Sequence, residues 1–158
     1  MGEKFDLHTR LSELGLDLPP LRPKAGNYLG YVETGELLFL AGQGADGWIG
    51  RVGADLGLEQ ARTAARDCML NLLAQADDAL GGDWSRLVTA VKVLGFVACT
   101  EEFTQSPAVL DGASDLLVEV LGSRGRHGRS AIGVQSLPLG FAVEIEMILA
   151  VRPRPAGA

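Results

Sequence analysis

Three segments of the chain are apolar at nearly every successive position: LLFLAG at 37–42, VTAVKVLGFVA at 88–98 and MILAV at 147–151. Side chains of a strand alternate between two faces of a sheet, so such runs indicate strands that are dry on both faces. Only two long segments have apolar residues at helical spacing, 58–80 and 106–121. Two helices can cover one face of a five- or six-stranded sheet. We therefore expect a neighbouring copy of the chain to cover the other face.

Turn and cap signals place the remaining elements. Gly57 precedes the first long helix and Gly81-Gly82 ends it, while Ser106 is the expected N-cap of the second, with Pro107 in its first turn. The loop LPLG at 137–140 predicts a hairpin between the last two strands. The fold class is therefore α+β, a mixed sheet with two long helices packed on one face. The other predicted elements are a short helix at 6–16, two strands within 28–43, a third short strand at 47–53, and strands at 87–99, 130–136 and 142–151.

The length of 158 residues suits a single domain, 1–158, with its core at about 14–151 and a flexible tail at 152–158. The formal net charge is −6, which disfavours a nucleic-acid partner because such proteins carry a basic surface. One basic cluster interrupts the scattered cations: Arg124, Arg126, His127 and Arg129.

Neither the cysteines nor the apolar segments indicate a secreted or membrane protein. Cys68 and Cys99 match neither a disulfide framework nor a zinc site, and we interpret both as small core residues. No apolar stretch reaches the ~18–20 residues of a membrane span. The first ten residues, MGEKFDLHTR, lack the apolar core of a secretory signal, so we expect a cytoplasmic protein without a membrane partner.

The chain has no dinucleotide, phosphate-loop, zinc-protease or serine-hydrolase motif. Its candidate site residues lie near the last two strands. Arg129 precedes small residues that leave room for a ligand, and a guanidinium can bind a carboxylate through two hydrogen bonds; a structural ion pair is the alternative. Glu144 and Glu146 share one face of an otherwise apolar strand, either as site residues or on an exposed sheet edge.

Two motifs give the chain a resemblance to a known family. The segment RSAIGVQSLPLGFAVEIEMI at 129–148 resembles the C-terminal signature of the reactive-intermediate deaminase family, also called RidA or YjgF-like and often named endoribonuclease L-PSP. The segment NYLGYVETGELLFLAGQ at 27–43 resembles the family's first two strands. The stretch at 112–134 is similar to a longer branch of the family, with a longer loop before Arg129.

The resemblance implies a chorismate-mutase-like fold, assembled as a homotrimer with clefts between subunits. It also implies hydrolysis of small carboxylate-bearing enamines and imines to a keto acid and ammonia, without a metal or an organic cofactor. Carried over by position, Arg129 would hold the substrate carboxylate and Glu144 would position the water. Tyr28 would line the cleft, and the backbone of Gly42 would face the ligand.

The chain departs from the deaminating branch at three positions. Ala41 replaces a serine, Asp111 an asparagine and Ala131 a cysteine. A carboxylate at Asp111 would repel an anionic substrate if it faced the cleft, which puts the imino-acid activity in doubt. His127 is either a branch-specific acid–base group or a solvated loop residue.

Three functions remain open on this basis: a cofactor-free deaminase, a non-catalytic protein that binds a small metabolite, and a ribonuclease or translation inhibitor. The acidic charge and the 6% aromatic content argue against the third.

A regular hairpin at 137–140 would place Gln135 opposite Val143, and Arg129 and Glu144 roughly 17 Å apart at ~3.3 Å per residue. One small substrate could not then contact both in a single chain, so the sequence predicts a site between subunits.

Overall fold

The computed structural model describes residues 5–154, which form three α-helices, one five-stranded sheet and three short 3₁₀ turns. Within that range, no helix is long and apolar enough to cross a membrane. The helices are α1 (Leu7–Glu13), α2 (Leu58–Leu80) and α3 (Ser106–Leu121); the strands are β1 (Tyr31–Thr34), β2 (Leu37–Gln43), β3 (Leu87–Ala98), β4 (Gly128–Val134) and β5 (Val143–Val151); the 3₁₀ turns are Trp84–Arg86, Gly122–Gly125 and Pro138–Gly140.

The two long helices begin and end at the cap residues predicted from the sequence, with one difference. The backbone N–H of Gly57 donates to Oε1 of Gln60 at 3.0 Å, and Gly81 ends α2 in the left-handed region at φ 62°. The predicted bounds of α2 are thus confirmed. Ser106 is already inside α3 and is buried, and Gln105 precedes the helix, so the prediction of Ser106 as N-cap was wrong by one residue.

The sheet has the order β1-β2-β5-β3-β4. The predicted hairpin between β4 and β5 is wrong, because β3 lies between these two strands. β4 pairs with β3 in parallel and β5 pairs antiparallel with both β2 and β3. The cause is α3, a crossover long enough to return the chain for parallel pairing with β3. Residues 135–142 then cross the end of β3 to reach the centre of the sheet.

The predicted third strand at 47–53 is also absent as a strand. Its residues form isolated bridges, Ile49 to Phe141 and Val52 to both Leu56 and Cys99. The glycines of this segment have positive φ values, at 86° for Gly47, 119° for Gly50 and 92° for Gly53, which break an extended conformation.

The sheet has one covered face and one open face. Both α2 and α3 pack on the covered face, where Leu38, Val93 and Ile145 are fully buried. Val32 and Phe39 are paired across β1 and β2 on the other face, with 48% and 39% of their surface exposed. In the single chain, the two long helices therefore leave one face of the sheet with exposed apolar side chains, as the sequence predicts.

The two cysteines lie in the core, and the first residues of the C-terminal tail are held against the fold. Cys68 and Cys99 are both buried, as expected, and burial raises the pKa of the Cys68 thiol, which keeps it protonated. Of the predicted tail, Arg152 is tethered by a backbone hydrogen bond to Arg86 and Arg154 by its side chain to Ala79. Residues 155–158 lie outside the described part of the chain.

Candidate functional site

A cleft of about 460 Å³ opens beside the end of β2 and holds three of the predicted site residues, Tyr28, Gly42 and Glu144. Its walls are the irregular segment 22–30, the end of β2 and the segment that leads into β5. Its volume lies in the range of small-molecule sites, about 300–1,000 Å³. We call this space the Glu144 cleft.

Gly42 makes room for the Glu144 carboxylate. The pairing of β2 with β5 shifts register between Leu40 and Gln43, which is a bulge that turns Gly42 towards β5. A Cβ atom on Gly42 would overlap Oε1 of Glu144. The family resemblance places Gly42 beside the ligand. Its missing side chain also leaves the space that the Glu144 carboxylate occupies.

The environment of Glu144 favours its protonated form. The residue is partly buried on the open face of the sheet, and this burial raises the pKa of its carboxyl group. The negative charge of Glu146, two residues along the same strand, raises that pKa further. A carboxyl group with a raised pKa can accept a proton from water and return it to a leaving group closer to neutral pH.

Tyr28 lines the same cleft from the irregular segment 22–30. Its hydroxyl accepts a hydrogen bond from the backbone N–H of Ala25 at 3.3 Å, and 45% of the residue is exposed. Ala41, the position of the family serine, also lines this cleft. The missing hydroxyl removes a hydrogen-bond group from the wall next to Gly42.

The other predicted residues form a second group, which we call the Arg129 cluster: Arg129, Asp111, Ser114 and His127. Nη1 of Arg129 donates to Oδ1 of Asp111 at 2.9 Å and to Oγ of Ser114 at 3.1 Å. This settles the position of Asp111. Repulsion of an anionic substrate would require the Asp111 carboxylate to face the cleft. Within one chain this carboxylate does not line the Glu144 cleft and instead pairs with the Arg129 guanidinium.

His127 is tied into the same cluster by both ring nitrogens. Nδ1 lies 2.6 Å from the carbonyl oxygen of Gly125, and Nε2 lies 3.0 Å from Oγ of Ser114. A carbonyl can only accept, so Nδ1 carries a proton, and in the neutral ring Nε2 accepts from the Ser114 hydroxyl. His127 is therefore a partly buried loop residue whose ring is held by two hydrogen bonds.

Ala131 lies two residues after Arg129 on β4, opposite Gly95 of β3. Its side chain packs partly against the core on the covered face. No hydroxyl or thiol is present at this position to extend the polar cluster.

The Glu144 cleft and the Arg129 cluster lie on opposite faces of the sheet. Arg129 pairs with Val93, which faces the helices, whereas Glu144 pairs with Phe96 on the open face. Three residues along β3 and two strand spacings separate them by about 14 Å. This distance replaces the one of roughly 17 Å that the predicted hairpin gave. The conclusion is the same: one small molecule cannot contact both Arg129 and Glu144 within one chain.

Two further cleft residues, Arg22 and Gln75, were not predicted from the sequence. Gln75 is a polar residue among the buried positions of α2, and Arg22 follows two prolines in an irregular connector. The sequence held no signal for either residue, because a glutamine on an amphipathic helix usually faces solvent and Arg22 lies in a segment without regular structure. Among residues 5–154, no group of three or more His, Cys, Asp or Glu side chains could hold a metal ion.

Comparison with known proteins agrees with this architecture. A family model described as "YjgF/chorismate mutase-like, putative endoribonuclease" matches residues 8–149. The chain is 39% identical over 145 residues to Protein TCP17 of Trypanosoma cruzi, spanning 88% of this chain and 90% of TCP17.

Two solved structures share the fold over nearly the whole chain. Protein Atu1372 of Agrobacterium tumefaciens, of unknown function, has a TM-score of 0.84 at 39% identity and covers 92% of this chain and 91% of its own. A Shewanella oneidensis protein, described as a putative endoribonuclease, has a TM-score of 0.87 at 31% identity and covers 92% of this chain and 99% of its own. The five-stranded mixed sheet, its two long helices and these matches together place the chain in the YjgF/chorismate mutase-like family.

Proposed function

We propose that the chain is a cofactor-free deaminase that hydrolyses small carboxylate-bearing enamines and imines and releases ammonia. The observation that carries this proposal is Glu144, a partly buried carboxyl group with a raised pKa in the wall of a ligand-sized cleft. Such a group can exchange protons with water and with a leaving nitrogen, and the reaction needs no other chemistry from the protein.

The reaction balances with one water. An enamine first takes a proton from solvent on carbon and becomes an iminium, whose nitrogen is already protonated. Glu144 then accepts a proton from water as the water oxygen bonds to the iminium carbon, which gives a carbinolamine. Glu144 returns this proton to the amino nitrogen. The C–N bond breaks as the C=O bond forms, and the hydroxyl proton passes to solvent in place of the one taken up, so that ammonia and a keto acid remain.

The proposed site lies between subunits of a homotrimer in the cytoplasm. Arg129 of one subunit would bind the substrate carboxylate, and Glu144 of its neighbour would act on the imine. Two observations support this arrangement: the separation of about 14 Å within one chain, and the exposed apolar residues of the open face, such as Val32 and Phe39.

Ammonia release from freshly generated 2-aminoacrylate tests the activity. We expect wild type to accelerate it and Glu144→Gln to abolish the acceleration. Arg62→Ala is the control, because Arg62 pairs with Asp115 on α3 and does not line the cleft. Ammonia release at the uncatalysed rate with wild type would contradict the activity.

Mixing two inactive variants tests the location of the site. Co-assembled Arg129→Ala and Glu144→Ala chains contain some interfaces with both residues intact, so we expect activity to return. Demonstrated mixed assembly without any return of activity would contradict a site between subunits.

A non-catalytic binding protein is the second candidate. Ala41 favours it, because the cleft wall lacks the hydroxyl of the family serine while the carboxylate-binding Arg129 is retained. Calorimetric binding of 2-oxobutanoate without any ammonia release would select this function. The ribonuclease activity that the family name suggests would instead require affinity for single-stranded RNA that falls steeply with salt, and the net charge of −6 opposes it.

A further inference from the structure

The Glu144 cleft has a second polar end, at Gln75 of α2. Gln75 is only 7% exposed and lines the cleft, yet its side-chain amide has no hydrogen-bond partner among the described residues. The amide presents two donors and an acceptor to the cleft, so a ligand that displaces water from it without replacing those hydrogen bonds binds less favourably. The proposed hydrolysis at Glu144 makes no use of this group.

Arg22 adds a positive charge to the same wall. Its Nη2 donates to Oδ1 of Asp46 at 2.9 Å, and its guanidinium lies 4.8 Å from the centre of the Phe141 ring. Its Nη1 is buried and has no acceptor within residues 5–154. These contacts orient the guanidinium and leave part of its donor capacity unused.

Gly30 keeps this end of the cleft open. A Cβ atom at Gly30 would lie 2.6 Å from Oε1 of Gln75, so a side chain here would displace the amide. Arg22 and Gln75 also line an adjoining cavity of about 360 Å³. The space beyond Glu144 therefore exceeds what an imino acid of three or four carbons would fill.

We propose that the substrate carries a second acidic group, at the end away from the imine, and that Arg22 and Gln75 bind it. The inference rests on the proposed function and specifies its substrate class as dicarboxylic imino acids. A carboxylate can accept from the guanidinium and from the amide nitrogen together, whereas an apolar end would leave both groups unpaired. Lys24, which lines the same cleft, adds to the positive charge.

Two keto acids of the same shape test the proposal on the full chain. The probes are 2-oxoglutarate and 5-methyl-2-oxohexanoate, in which an isopropyl group replaces the distal carboxylate. By calorimetry we expect wild type to prefer 2-oxoglutarate by about tenfold or more, as for a charge-assisted contact. Arg22→Met should remove the preference, and Gln75→Leu should reduce it. Arg62→Met, which also breaks a single Arg–Asp pair, should retain it.

Each outcome decides between the proposals. Equal affinity of wild type for the two acids, or a preference that survives Arg22→Met and is lost in Lys24→Met, overturns the role of Arg22 and leaves the proposed function intact. Binding of neither acid overturns both proposals.

Should Arg22→Met fail to fold, Arg22→Lys provides a second test. This variant keeps the positive charge but lacks the planar guanidinium that can donate two parallel hydrogen bonds, and we expect it to show an intermediate preference. An unchanged preference in Arg22→Lys would contradict recognition by the guanidinium.

Discussion

Arg129 and Asp111 form an ion pair at 2.9 Å that joins the edge strand β4 to helix α3. Ser114, one turn further along α3, accepts a second hydrogen bond from the same nitrogen of Arg129. The guanidinium is therefore oriented before any ligand arrives, and its charge is partly balanced by a carboxylate. An anionic ligand that reaches Arg129 competes with Asp111 for it.

Asp111→Asn should strengthen the binding of a monocarboxylate. The substitution removes the competing charge and keeps a hydrogen-bonding side chain of the same size, so we expect affinity for 2-oxobutanoate to rise several-fold, by about 1 kcal/mol. Calorimetry measures the change. Asp115→Asn, on the same helix and paired with Arg62, is the matched control. Weaker binding by Asp111→Asn would mean that Asp111 positions Arg129 rather than competes for it.

Phe39→Glu should dissociate the proposed trimer. Phe39 is 39% exposed in the middle of β2 on the open face, where a buried carboxylate would be unpaired in an assembly. Light scattering should then give the 16.7 kDa mass of one chain, with loss of ammonia release. Ile49→Glu changes a similarly exposed apolar residue outside the sheet and should leave the mass unchanged. A wild-type mass of one chain at micromolar concentration would refute the trimer.

Glu146→Gln should move the acid limb of the activity profile to lower pH. The charge of Glu146 raises the pKa of Glu144, so its removal lowers that pKa and keeps Glu144 ionised at lower pH. A pH series of kcat/KM for ammonia release measures the shift. Glu36→Gln, in the turn between β1 and β2, should not move the limb. A limb unchanged by Glu146→Gln would show that another group controls it.

Gly95→Ala should destabilise the fold. Gly95 lies in β3 against α3, and a Cβ atom there would overlap the fully buried side chain of Leu110. Overpacking of this kind costs about 1–3 kcal/mol. Urea unfolding measures the difference in free energy. Gly128→Ala is the comparison, since its nearest contact would be an ordinary 3.5 Å to the Val91 carbonyl oxygen. Equal stability of the two variants would contradict tight packing at Gly95.

The two long helices were predictable to within a residue, whereas the short helix predicted at 6–16 ends earlier, at Glu13, and the strand pairing was not predictable. Gly57 and Gly81 bound α2 where its apolar spacing begins and ends, so a local pattern sufficed. The strand that pairs with β4 cannot be predicted from the sequence pattern around β4. Strands separated by 135–142 can form a hairpin or let a third strand lie between them, and the crossover through α3 selects the second arrangement.

The family resemblance placed four residues around one ligand, and the single chain brings three of them together, while Arg129 lies on the other face of the sheet. Tyr28, Gly42 and Glu144 were expected together and share one cleft. Arg22 and Gln75 were not expected, because segment 22–30 has no regular structure from which a side chain's direction could be inferred. A polar residue in an amphipathic helix usually faces solvent, and only the packing of that segment against α2 makes Gln75 a buried cleft residue.

The position of β5 has a consequence for how the protein is made. This strand is the last to leave the ribosome among the described elements, yet it lies at the centre of the sheet, between β2 and β3. Until β5 is synthesised, β2 and β3 each have one unpaired edge, on the side where β5 will lie. Unpaired strand edges are prone to association with other chains. Because Glu144 and Glu146 belong to β5, the same nine residues close the sheet and complete the cleft. A nascent chain therefore completes the Glu144 cleft in the same step that pairs the inner edges of its sheet.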